Sequence, residues 1–205
     1  MCSSSYVACS NTGFGNAKLK KPLAFVAGGF HAPGMHWNDT FTKLFGRCVE
    51  AQRNGGFDYE NGYSADELTF LAEIGYKKRE LFDFVEDFVD GADLNASTSL
   101  LVAAVRRDYL VVEQGGETSG KQIDRESLPS REDSLEGIAY LPRILVKARA
   151  KLRGELDPDT MFGCGGDRNF LARNGGIHPA DFLRRVWAAG DDDSKVVAWI
   201  KSLGE

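Results

Sequence analysis

The chain has 205 residues, 42% of them hydrophobic and 27% charged, with a net charge of −5 at pH 7. That balance excludes a nucleic-acid binder working by general basicity, and the length suffices to bury a stable core without disulfide or metal staples. The longest nearly apolar stretch, Leu23 to Phe30, is too short to span a membrane.

Residues 1–36 hold no acidic residue and carry Lys18, Lys20 and Lys21. This Ser-rich leader lacks both the arginines of a transit peptide and the apolar core of a secretion signal, and reads as a flexible tail. It has one short extended piece at Leu23–Ala27 and is available for targeting or docking. Cysteines 2, 9, 48 and 164 show no C-x-x-C spacing, and Cys2, Cys9, His31 and His36 match no zinc-finger pattern. Neither metal nor cofactor is expected. The compartment is expected to be reducing, cytoplasmic or organellar, and not the secretory route.

From Trp37 the pattern is helical. Asn38 or Asp39 can cap a helix to about Asn54, with Phe41, Leu44, Phe45, Cys48 and Val49 on one stripe. Ser64-Ala65-Asp66-Glu67 spells a capping box, followed by Leu68, Leu71 and Ala72 as the apolar face and by Gly75. A third helix is predicted over 77–89, with Leu81, Phe82, Val85 and Phe88 inward and Gly91 as terminator. Its acids Asp83, Glu86, Asp87, Asp90 and Asp93 are read as a solvated face. A fourth spans about Ala96 to Tyr109, with Leu100, Leu101, Ala104 and Val105 inside; a minor strand could follow at 109–112.

Residues 114–131 are polar, glycine-containing and aperiodic, the best linker in the chain. Helix is expected to resume after Ser130, where Ser130-x-x-Asp133 can cap a short segment ending before Pro142. Pro142 begins the next helix and Gly154 ends it; His178-Pro179 begins another, to Ala189. Asp191–Asp193 then place negative charge at the start of a last helix carrying Val196, Val197, Trp199 and Ile200. The organisation predicted is a tail (1–36), an N-terminal helical half (37–113), a linker (114–131) and a C-terminal helical domain (132–205). The fold class is all-α.

At a constant offset of 100 residues, Arg53 meets Arg153, Phe70-Leu71-Ala72 meets Phe170-Leu171-Ala172, Gly75 meets Gly175 and Phe82 meets Phe182. The order of elements also repeats, so a tandem duplication is expected.

Chemistry concentrates in the second half. Between Pro142 and Gly154 stand Arg143, Lys147, Arg149, Lys151 and Arg153 with no acid among them, above a buried stripe of Ile144, Leu145, Ala148 and Leu152. Then follows Met161-Phe162-Gly163-Cys164-Gly165-Gly166-Asp167-Arg168, a glycine-rich turn ahead of an acid–base pair. Arg143, Lys147, Arg149, Cys164, Asp167 and Arg168 are therefore the candidate ligand-binding residues for a carboxylate or phosphate. The competing reading is a solvated basic face with Asp167 and Arg168 paired to each other. A catalytic Cys164 would need His178, the only histidine in this half, and His178 sits where a helix cap belongs.

Leu141-Pro142-Arg143, the run Lys147-Ala148-Arg149-Ala150-Lys151-Leu152, then Gly154, Cys164, Asp167-Arg168 and Phe170-Leu171 together resemble the domain-of-unknown-function family numbered 5069. The family is found widely in bacteria, and the resemblance covers roughly residues 128–203. It implies a compact helical domain and brings no established activity. The chain departs from the pattern at Gly165-Gly166, and its first half lacks the Leu-Pro-Arg and Asp-Arg signatures.

The function expected from these features is a non-enzymatic accessory binding or interaction module, a subunit of a larger assembly with a protein partner. The alternative is a small enzyme or carrier holding an anionic small molecule on the basic helix 142–153 and the 163–168 loop. Nucleic acid is not an expected partner. Convergence of Arg143, Lys147, Cys164 and Arg168 on one concavity would favour the alternative, and dispersal would favour the module.

Overall fold

Residues Trp37–Arg53 form helix α1, burying the expected stripe of Phe41, Leu44, Phe45, Cys48 and Val49. The structure is a computed structural model and describes residues 36–92 and 94–204. The expected tail piece at 23–27, with Cys2, Cys9 and His31, lies outside the described residues, as does Asp93. The cap of α1 is His36, two residues before Asn38 and three before Asp39, and its side chain makes no capping bond. Asp39 instead stands in the first turn, where a carboxylate complements the helix dipole.

Helix α2 (Ala65–Glu73) starts at the predicted capping box: Ser64 accepts from the Glu67 N–H while Glu67 accepts from the Ser64 N–H. Its buried residues are Phe70 and Leu71, whereas Leu68 and Ala72 face outward. Helix α3 (Lys78–Val89) buries Glu80 and Asp83 along with its apolar face, so the acid stripe is not uniformly solvated. Helix α4 (Ala96–Val112) extends past the predicted end and leaves no strand at 109–112. Its inward face is Val102, Ala103, Val105, Arg106 and Leu110, with Leu101 exposed, rotated from the expected stripe.

After a single 3₁₀ turn at Arg125–Ser127, the expected short helix is replaced by a hairpin. Strand β1 (Ser134–Leu135) pairs antiparallel with β2 (Ile138–Ala139). The reason is local: Glu136 and Gly137 have φ of +48° and +85°, left-handed values that form a tight hairpin turn and cannot continue a helix. The Asp133 carboxylate does accept from the Ser130 N–H, but it closes a turn. Then come α5 (Leu141–Arg153), α6 (Gly165–Arg173), α7 (Pro179–Ala189) and α8 (Asp193–Ser202). The described residues are thus helical apart from one small hairpin and connecting loops, an all-α fold.

Helix α1 packs on α3, α5 on α7, and α8 on α7, while α4 lies against α1, α5 and α7. Helix α4 therefore joins the two halves, and one continuous cluster of buried side chains runs from Phe41 to Ile200. The segment 114–131 is tied to this body. Ile123 donates its N–H to Glu155 O (2.8 Å), the Ser119 hydroxyl donates to the Glu155 carboxylate (2.7 Å), and Gln114 Nε2 donates to Arg153 O (3.3 Å). Helices α2 and α6 are each nine residues long and begin at Ala65 and Gly165.

Candidate functional site

The glycines after Phe162 divide into two roles. Gly163 turns the chain with φ +87°, and a Cβ there would stand 3.4 Å from the Phe84 ring. Gly165 and Gly166 are not a turn: they are the first residues of α6, with Cys164 as its N-cap. A Cβ on Gly166 would come 3.1 Å from the Tyr140 hydroxyl, so the missing side chain lets Tyr140 reach over the helix start.

What Tyr140 reaches is Asp167. Its hydroxyl donates to Asp167 Oδ1 (2.8 Å), and Oδ2 accepts from Lys147 Nζ (2.6 Å) and from the Gly163 N–H (2.8 Å). The side chains of Lys147 and Asp167 are 4% and 0% exposed, so their charges depend on each other. A buried ion pair of this kind contributes little net stability, yet losing one partner costs about 3–5 kcal/mol, because the other charge is left uncompensated. Lys147 Nζ also lies 3.4 Å from Cys164 Sγ. Burial, and then the neighbouring Asp167 carboxylate, push the Tyr140 phenol well above its usual range, so it serves as a donor. Tyr140 itself has φ +72°, uncommon for a non-glycine residue, and this conformation delivers its ring to the α6 start, packed on Phe170.

The other candidates go elsewhere. Arg143 Nη1 donates to Pro129 O (2.7 Å), tying down the loop before the hairpin. Arg149 binds Gly190 O through Nε (3.1 Å) and Nη2 (3.0 Å) and pairs with Asp193 (2.5 Å), fastening the α7–α8 corner. Arg168 does not pair with Asp167. Its guanidinium donates to Asp87 Oδ2, Gly163 O and Ala92 O, each at 2.6 Å, linking α6 to the end of α3. Of the six expected site residues, Lys147, Cys164 and Asp167 meet, while Arg143, Arg149 and Arg168 each fasten a different part of the fold. His178 caps α7 as expected, accepting from the Ala180 N–H with Nδ1 (3.2 Å), and its Nε2 lies 3.2 Å from Thr98 Oγ1. Both ring nitrogens are thus occupied away from Cys164.

The basic helix is not a solvated face. Lys151, 1% exposed, donates to Glu80 Oε1 (3.0 Å), and its Nζ stands 3.7 Å from the centre of the Tyr76 ring. Burial lowers the Lys151 pKa, and the Glu80 carboxylate opposes that. Arg106, fully buried, donates to Gly75 O (3.0 Å), Leu152 O (2.9 Å) and Gln114 Oε1 (2.7 Å). It places its cation at the C-terminal ends of α2 and α5, where the dipoles are negative. Cβ atoms on Gly75 or Gly154 would meet it at 2.7 and 2.6 Å. Tyr140, Glu80, Asp87 and Arg106 are the residues that sequence reasoning missed. Only Arg106 had a usable signal, an arginine on the Val102–Leu110 row of an otherwise apolar face.

Among the described residues, two clefts in the surface bear on the site. One, of about 210 Å³, is lined by Tyr109, Glu113, Arg149, Arg153 and Trp187 among others. The other, of about 190 Å³, lies between the loop at Tyr59–Glu60, the start of α3 and residues 156–160. Lys147, Cys164, Asp167, Arg143 and Arg168 line neither. Among the described residues there is no cluster of His, Cys, Asp and Glu able to hold a metal ion, and no helix long and apolar enough to cross a membrane.

Residues 125–205 match the model of the family described as "Domain of unknown function (DUF5069)", slightly beyond the 128–203 over which the sequence pattern carries the resemblance. No curated protein and no solved structure matches the chain.

Proposed function

We propose that this chain is a non-enzymatic accessory module that acts by binding a protein partner within a larger assembly. The observation that carries the reading is the dispersal of the basic segment: Arg143, Arg149 and Arg168 hold the Pro129, Gly190 and Ala92 carbonyls, and Lys147 is enclosed with Asp167. A site for an anion needs donors that remain free to receive it. The surface supplies what a protein partner uses instead. The Tyr109–Trp187 cleft combines Tyr, Trp and Arg, the residue types enriched at binding hot spots, and α4 exposes Val111 and Val112 beside Tyr109. The free thiols of Cys48 and Cys164 support a reducing compartment.

Native mass spectrometry on the full chain purified from its own source tests this reading. The expected result is a stoichiometric protein complex that is weakened by Trp187→Ala with the fold intact. A monomer carrying a small anion, lost in Lys147→Met, would overturn it. That result would favour a small enzyme or anion carrier built on the 3.4 Å approach of Lys147 to Cys164.

We infer also that the two halves descend from a tandem duplication. The matching bounds of α2 and α6 and the recurring helix order support it. An experimentally determined structure in which Phe70 with Phe170, and Phe82 with Phe182, fail to coincide on superposing the halves would refute it.

A further inference from the structure

The cleft of about 210 Å³ at the end of α4 has two aromatic walls, Tyr109 and Trp187, whose ring centroids lie 5.4 Å apart at 65°. Tyr109, the exposed Val112 and Glu113 share one face of α4, at the i, i+3 and i+4 positions. The Trp187 indole Nε1–H donates to Glu113 Oε1 (3.0 Å) and so fixes that carboxylate beside the rings. A carboxylate has about four acceptor positions, and one neutral donor leaves its charge unanswered. Among the described residues no cation stands within ion-pair distance of Glu113. Asp191, on the rim, is fully exposed, with Arg149 Nε 4.0 Å away. The two arginines of the lining already hold carboxylates outside it, Arg149 on Asp193 (2.5 Å) and Arg153 on Glu155 (2.7 Å). The uncommitted charge of the cleft is therefore negative. It lies against aromatic rings, which attract a cation through their quadrupoles as the carboxylate does through its charge.

We propose that this cleft receives a single lysine or arginine side chain from an otherwise apolar segment of the partner protein, its cation on Glu113 against Tyr109 and Trp187 and a neighbouring apolar residue on Val112. An acidic segment would meet Glu113 and Asp191 as like charges. A wholly apolar one would cover the Glu113 carboxylate and supply no cation to answer it. The cleft is smaller than the roughly 300–1,000 Å³ usual for drug-sized ligands, which fits one side chain. The proposal names the chemistry of the partner and rests on the interaction reading above.

Two measurements on the full chain separate this proposal from the reading it rests on. In native mass spectrometry of the complex, Glu113→Gln should weaken assembly as Trp187→Ala does, although glutamine still accepts from the Trp187 N–H and alters only an exposed side chain. A complex weakened by Trp187→Ala and unchanged by Glu113→Gln would overturn the cation seat and leave the interaction reading standing. The second measurement needs no partner: calorimetric titration with acetyl-Leu-Lys-Leu amide and acetyl-Leu-Arg-Leu amide, beside the same peptide with norleucine or glutamate at its centre. At least one cationic peptide is expected to bind at low salt with a dissociation constant of about 1 mM or tighter, and the norleucine and glutamate peptides at least about tenfold more weakly. Glu113→Gln should weaken the cationic peptide about tenfold with melting unchanged. Peptide binding without a stoichiometric complex would support the seat and fail the interaction reading alone. Absence of binding by both cationic peptides up to about 10 mM would overturn the proposal, as would equal binding of the norleucine peptide, or unchanged affinity in Glu113→Gln.

Discussion

Arg106 and Gly154 are in contact across the two halves: a Cβ on Gly154 would stand 2.6 Å from an Arg106 guanidinium nitrogen. Gly154 has φ +71°, and so does Gly91, around which no atom lies within 4 Å of a Cβ position. The same left-handed backbone thus occurs once against a buried cation and once in open space. Gly91→Ala should cost about 1–2 kcal/mol, the strain of alanine in that conformation. Gly154→Ala should cost clearly more, because Arg106 must give way and loosen its bonds to Gly75 O and Leu152 O. Denaturant melts of the two variants check this, and equal losses would show that Arg106 yields freely.

Arg168 is assigned here to structure. Its bonds to Asp87, Gly163 O and Ala92 O are charge-assisted, and they join α6 to the end of α3. Arg168→Ala should lower the melting temperature, and Arg168→Lys should recover only part of the loss, since lysine cannot fork onto several acceptors. Neither change should alter whatever weak affinity the protein has for inorganic phosphate. Melting curves and phosphate titrations on the same variants decide it.

Asp83 should make stability depend on pH. Burial, opposed mainly by Arg79 and Lys151 and aided by Glu86 and Glu80, pushes its carboxyl up to about 7. The folded state therefore holds a proton that the unfolded state releases at the ordinary carboxylate value near 4. Its contribution is fully present below about pH 4 and is lost as pH rises towards 7. Asp83→Asn should flatten that slope, so its melting temperature gains on the unsubstituted protein as pH rises. Melting curves between about pH 4 and 8 measure it, and parallel slopes would contradict it.

Helix existence was legible because caps and periodicity are local. Ser64 with Glu67, Pro142 with Gly154, and His178 with Pro179 each mark a terminus within a few residues. The hairpin at 134–139 was not legible, because a glutamate at positive φ carries no composition signal. The rotation of α4 is likewise set from outside, by the carbonyls of Gly75 and Leu152 that receive Arg106. For the candidate site, the sequence brought attention to Lys147, Cys164 and Asp167, which do meet. It could not pair them, since Arg168 finds Asp87 and Lys151 finds Glu80 across separations of 81 and 71 residues. Adjacent Asp167 and Arg168 looked like partners; on α6 they face different neighbours.

The central claim is that the charges of the basic segment hold the fold together and leave partner binding to other surfaces. The most direct test is a double-mutant cycle on the buried Lys147–Asp167 pair, read by melting and by native mass spectrometry of the assembly. Lys147→Met and Asp167→Asn should each destabilise strongly, by about 3–5 kcal/mol, since each strands a buried charge. The double variant removes both charges and keeps an acceptor for the Gly163 N–H, so it should melt above both single variants and still bring down its partner complex. A double variant that folds as well as predicted but loses the complex, or releases a bound small anion, would show that the pair is a working site and contradict the account.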